Sequence, residues 1–134
     1  MNPVADSLKR TLPAVSSTVT ALRGEVAALL TAAGLGEPLL SGVKLAVSEA
    51  VTNAVMHAYI DATAPGDVRL LARVDGDSVY VTVSDDGSGM VPRLDSPGLG
   101  VGLPFIAYTA DKLDIGHSAA GGTELRMSFH VKAV

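Results

Sequence analysis

The 134-residue chain carries a net charge of −4, is 48% hydrophobic but only 4% aromatic, and contains no cysteine. Its length suits one domain with a real core spanning 1–134, and it lacks the clustered Lys and Arg of a phosphate-backbone binder, so no direct nucleic-acid contact is expected. The missing cysteines exclude disulfide frameworks, Cys-rich zinc sites and thiol catalysis, and fit a reducing compartment, with the cytoplasm as the expected location.

The chain opens MNPVADSLKR, without a basic stretch followed by an apolar signal core, and no apolar run approaches the roughly 20 residues of a bilayer span, so neither export nor membrane insertion is expected. Leu8 to Leu12 alternates apolar and polar up to Pro13 and predicts a short strand at a sheet edge. Ser16 or Ser17 then supplies an N-cap for a helix whose apolar residues, Val19, Leu22, Val26, Leu29 and Leu30, recur at helical spacing until Gly34. A second helical pattern runs from Leu39 to Tyr59 through Val43, Ala46, Val47, Ala50, Val51, Ala54 and Val55. After a loop from Ala62 to Gly66, Val68 to Val74 and Ser78 to Ser84 predict an antiparallel hairpin turning at Asp75-Gly76-Asp77. Gly87 to Gly102 is rich in Gly and Pro with no apolar periodicity, and Leu103 to Ala110 predicts a short helix. Leu113 to Ile115 and Glu124 to Val131 predict two further strands around an Ala119 to Gly122 turn. Helices followed by a mostly antiparallel sheet make an α+β chain.

Four clusters carry candidate chemistry. Glu49, Asn53 and His57 stand at i, i+4 and i+8 of the second helix and advance about 40° per step, so they form one polar stripe on an apolar helix. By itself such a stripe also reads as a solvated edge. Asp85-Asp86-Gly87-Ser88-Gly89 follows a strand; Asp85 can accept from an exocyclic amino group, and glycines let backbone approach a flat ring, although Asp-Gly clusters also make ordinary turns. Gly98, Gly100 and Gly102 alternate ahead of the short helix and offer bare amides to an anion. Gly121-Gly122-Thr123 opens the last strand, where a hairpin turn explains it equally well.

In order and spacing the four together resemble the family of ATPases shared by gyrases, heat-shock chaperones, histidine kinases and mismatch-repair proteins. Within it, EAVTNAVMHAY, Glu49 to Tyr59, is similar to the bacterial anti-sigma factor serine kinases, which inhibit a sigma factor and phosphorylate an anti-sigma factor antagonist. The resemblance implies a two-layer α/β sandwich with helices on one face of the sheet, and ATP held between the second helix and a lid made by the glycine-rich segment. It implies Mg²⁺ on Asn53, adenine read by Asp85 with support from Thr123, Gly87 and Gly89 passing the base, Gly98, Gly100 and Gly102 around the phosphates, and Glu49 as general base for a serine or threonine hydroxyl. Arg23 on the first helix resembles an arginine that docks the antagonist, and also reads as a solvated side chain. His57 fits the family pattern and equally a role at the helix C-terminal dipole. Homodimers pairing through a sheet edge are implied as well, and the first strand offers such an edge.

The chain departs from the pattern between Gly89 and Gly98, where MVPRLDSP is shorter than the usual lid and Ser96-Pro97 replaces a basic residue. Arg93 takes that place, or nothing does. Two functions therefore compete: a serine/threonine kinase that also sequesters a sigma factor, favoured by Glu49, and a nucleotide-gated binding module without transfer, favoured by the short lid. A histidine kinase or topoisomerase fragment is disfavoured, because no dimerisation-helix pair with a phospho-acceptor His and no transducer segment is present.

Overall fold

The computed structural model describes residues 6–59, 66–87, 106, 109–119 and 121–131. Along the chain these form β1 (Asp6–Pro13), α1 (Ser16–Ala32), α2 (Leu39–Asn53) continued by one π-helical turn (Ala54–Ala58), β2 (Asp67–Asp75), β3 (Ser78–Asp85), β4 (Lys112–His117) and β5 (Thr123–His130). The five strands make one antiparallel sheet in the order β1-β2-β3-β5-β4. The fold is the expected α+β arrangement.

Register decides what each strand shows to the helices. Leu8, Ala72, Val81, Met127 and Leu113 lie in one row across the sheet, and Leu70, Val83, Leu125 and Ile115 in the next. Most of these are buried and pack with Leu22, Val26 and Leu30 of α1 and Val43, Val47 and Val51 of α2 in one hydrophobic core. Period-2 alternation in the strands and period-3.6 alternation in the helices thus point at the same layer. Arg10 takes the core-facing position of edge strand β1 in the second row and forms an ion pair with Glu25 of α1. An inward-pointing charge of this kind marks an edge strand.

Helix ends differ from expectation at one terminus and agree at the other. The N-cap of α1 is Val15, not Ser16 or Ser17, and among the described residues no side chain caps the turn. The Thr18 hydroxyl donates to the Pro13 carbonyl at 2.5 Å instead. At the C-terminus Gly34 adopts φ +83°, its N–H donates to Thr31 O and that of Leu35 to Leu30 O, a Schellman closure that only glycine enters without strain. Gly76 likewise takes φ +62° as the first of two residues between Asp75 and Ser78, the glycine-first loop of a II′ hairpin.

The second helix is longer than an uninterrupted apolar run suggests. Leu39–Ala58 is long and apolar enough, with a mean hydropathy of 1.2, to cross a membrane by composition alone. Lys44, Ser48, Glu49 and Asn53 interrupt it, and its apolar stripe is sealed inside the protein. Of the predicted helix at Leu103 to Ala110, Ile106 and Thr109 are described as helical, with Ala110 N–H donating to Ile106 O at 2.8 Å.

Candidate functional site

Asp85 ends β3 opposite Val68 on the helix-facing side of the sheet, and it is buried, with 6% relative exposure. Its Oδ1 accepts two backbone N–H groups, from Gly87 at 2.9 Å and Thr123 at 3.3 Å. Both bonds fall on the same oxygen, so Oδ2 keeps acceptor capacity. A carboxylate anchored through one oxygen in this way is equipped to accept a hydrogen bond from a ligand through the other.

Three elements hold the backbone around it. The Ser118 hydroxyl, buried at the end of β4, donates to the Asp85 carbonyl at 2.8 Å and accepts the Gly122 N–H at 2.9 Å. Tyr59, just past the π-helical turn, donates its hydroxyl to Asp67 O at 2.7 Å and accepts the Asp86 N–H at 2.9 Å. Arg69 of β2 grips Asp86 with both guanidinium nitrogens, at 2.6 and 2.8 Å. That double donation holds the Asp86 carboxyl below its ordinary range, with smaller help from the Ser118 hydroxyl. Burial, joined by the negative charges of Asp85 and Asp86, raises the Tyr59 phenol above its ordinary value.

Two glycines make this closeness possible. A Cβ on Gly87 would lie 2.0 Å from the Ala58 carbonyl oxygen, and one on Gly122 would lie 2.0 Å from that of Asp85. Sequence reasoning assigned Gly87 to the approach of a flat ring; the described contact is with the end of the long helix. Gly121-Gly122 is a turn, Gly121 having φ +94°, but one that clasps the Asp85 carbonyl.

Glu49 and Asn53 stand one turn apart on α2, both half-buried. The Asn53 amide nitrogen is buried without a hydrogen-bond partner and, with Ser48 Oγ, is one of two such atoms among the described residues. Buried polar atoms are nearly always paired, so an unpaired one needs an explanation. His57 lies inside the π-helical turn. Wider winding turns each residue through a smaller angle, so His57 leaves the steady 40° advance that unbroken α-helix would have given it. Single π turns of this kind occur frequently at functional sites.

Arg23 is half-buried on α1, remote in sequence from this cluster, and no ion pair is formed by it among the described residues. Gly89, Gly98, Gly100, Gly102 and Arg93 lie outside the described residues. Tyr59, Arg69 and Ser118 were not singled out from sequence. A Ser three residues ahead of a Gly-Gly pair is the available signal for Ser118, because Ser hydroxyls commonly close such turns.

Comparison with known proteins gives the same picture at the level of the whole chain. The sequence profile of the histidine kinase-like ATPase domain matches residues 12–129. Over 87 residues the chain is 33% identical to a serine-protein kinase, RsbW, of Staphylococcus epidermidis, the match covering 65% of this chain and 55% of that protein. It thus spans about half the length of that relative. An anti-sigma F factor of Bacillus subtilis is 30% identical over 105 residues, covering 69% of this chain and 70% of its own. Among solved structures, the RsbU and RsbW domains of a Mycobacterium tuberculosis protein superpose with a TM-score of 0.73 at 26% identity, over 92% of this chain and 32% of that one.

Proposed function

The chain belongs to the histidine kinase-like ATPase domain family, among relatives that include serine-protein kinases and anti-sigma factors, and from that premise we propose that it is an ATP-dependent anti-sigma factor that binds a sigma factor and phosphorylates a serine or threonine of an anti-sigma factor antagonist. The observation that carries this reading is the Asp85 carboxylate, buried and half-anchored at the helix-facing end of β3.

In this reading adenine donates its exocyclic amino group to Asp85 Oδ2, while Gly87 lets the chain that passes the base close on the end of the long helix, Gly89 leaves room beside the base, and Thr123, through its N–H, fixes the other carboxylate oxygen. Gly98, Gly100 and Gly102 wrap the phosphates. Asn53 brings a side-chain amide oxygen, the donor type a hard cation takes, one turn after Glu49 on α2; bound Mg²⁺ would neutralise charge on the phosphates. Glu49, one turn earlier, takes the proton of the incoming hydroxyl as its oxygen bonds to the γ-phosphorus, the bridging oxygen leaves with ADP, and the site otherwise contributes positioning. Arg23 docks the antagonist. The whole of 1–134 acts as one domain, in the cytoplasm, as a homodimer whose partner lies against the open edge of β1, with no membrane or nucleic-acid contact of its own.

Transfer from labelled ATP with Mg²⁺ to antagonist-type domains of the same genome, compared between wild type and Glu49→Gln, tests the proposal. Label on a hydroxyl residue, lost in Glu49→Gln with nucleotide affinity kept, is the expected result. Tight ATP binding without label on any candidate would overturn the kinase assignment in favour of a nucleotide-gated binding module.

A further inference from the structure

Asp86, next to the residue assigned to adenine, is a second carboxylate at the same strand end. A free carboxylate there would add an acceptor and a negative charge next to the base-reading carboxylate. It is not free: Arg69 holds both its oxygens, Tyr59 holds its N–H, and Ser118 holds the carbonyl of Asp85 just before it. Each of these anchors comes from a different element: β2, the end of the long helix, and the turn between β4 and β5.

The anchors act on direction. With the Asp85 carbonyl and the Asp86 N–H both fixed, the peptide between them cannot rotate, and the Asp85 side chain has one oxygen tied to Gly87 and Thr123. Oδ2 is left to meet a base. Adenine presents an amino donor where guanine presents a carbonyl acceptor, so a carboxylate that cannot turn away accepts from the first and repels the second. A carboxylate free to swing, or accompanied by a loose Asp86, loses that discrimination.

We propose that Tyr59, Arg69 and Ser118 are positioning residues that clamp the Asp85-Asp86 segment and thereby set selectivity for adenine over guanine nucleotides. The proposal rests on Asp85 being the base-reading residue. Its physical content is preorganisation: the ordering that would otherwise be required on binding is complete in the folded protein.

Displacement of a fluorescent ATP analogue by ATP and by GTP, on the full chain, tests it in wild type, Asp85→Asn, Arg69→Ala, Tyr59→Phe and the double variant Arg69→Ala/Asp86→Ala. Wild type should prefer ATP, and Asp85→Asn should weaken ATP. Arg69→Ala and Tyr59→Phe should each narrow the ATP-to-GTP preference by about tenfold, the scale of one hydrogen bond to a charged group. The double variant should recover part of the preference lost in Arg69→Ala, since it removes the freed carboxylate. Thermal midpoints recorded alongside separate a damaged fold, which lowers both affinities together, from a loosened clamp, which moves their ratio. An unchanged ratio in both Arg69→Ala and Tyr59→Phe, with Asp85→Asn still weakening ATP, overturns the clamp alone. Wild-type-like ATP binding by Asp85→Asn overturns the site assignment and the clamp with it.

Discussion

Gly87 and Gly122 show how tightly single residues constrain this protein. Because a Cβ at either position would stand 2.0 Å from a backbone carbonyl oxygen, neither can be relieved by moving a flexible side chain. Gly87→Ala and Gly122→Ala are therefore expected to destabilise the fold by about 1–3 kcal/mol or more, the usual cost of overpacking, with urea midpoints as the measurement. A midpoint within error of wild type for either would contradict the described packing. The Asp-Gly cluster at Asp85 was legible in the sequence because it joins a strand end to glycines at fixed spacing. Tyr59, Arg69 and Ser118 were not, since an aromatic at a helix end, an Arg in a strand and a Ser in a turn have ordinary roles. Only the folded chain, which brings all three onto the Asp85-Asp86 segment, reveals another.

Along α1 the elements carry two imperfections that can be mended. Gly24 lies mid-helix, and a methyl group placed there would meet nothing within 4 Å, so Gly24→Ala should stabilise by about 0.5–1 kcal/mol by restricting the unfolded chain and restoring helix propensity. Val15 holds an extended N-cap geometry without a capping side chain, and Val15→Asp should add about 1 kcal/mol. Denaturant titration of each single variant reads both; a loss of stability in Val15→Asp would mean that the exposed Val15 contributes more by packing than a cap restores. Helix periods and strand alternation were readable from the sequence to within a few residues. The π-helical turn at Ala54–Ala58 was not, because apolar spacing from Ala46 to Ala58 is as compatible with continuous α-helix. Nor was the placement of β5 between β3 and β4, for nothing local in Thr123–His130 records which neighbour it takes.

Across the whole molecule, charge and association are the properties a solution measurement can reach. Asp86, held below its ordinary value of 3.8 chiefly by Arg69, contributes stability that is present above that value and is lost as pH falls through the lower folded one. Both partners are more than a third exposed, so solvent screening limits the pair to about 0–1 kcal/mol. The stability gap between wild type and Arg69→Ala should accordingly be small at neutral pH and close as the pH drops below about 3.8; a gap that widens in acid would reverse the assigned sign. Among the described residues β1 is paired only with β2, so sedimentation should show a concentration-dependent dimer, and a strict monomer at high micromolar concentration would remove that proposal. The central claim is that one carboxylate at the end of β3 reads the nucleotide. Calorimetric titration of ATP with Mg²⁺ into wild type and Asp85→Asn tests it most directly: binding in the wild type that weakens at least tenfold in the folded variant is the predicted result, and equal affinity in the two would contradict it.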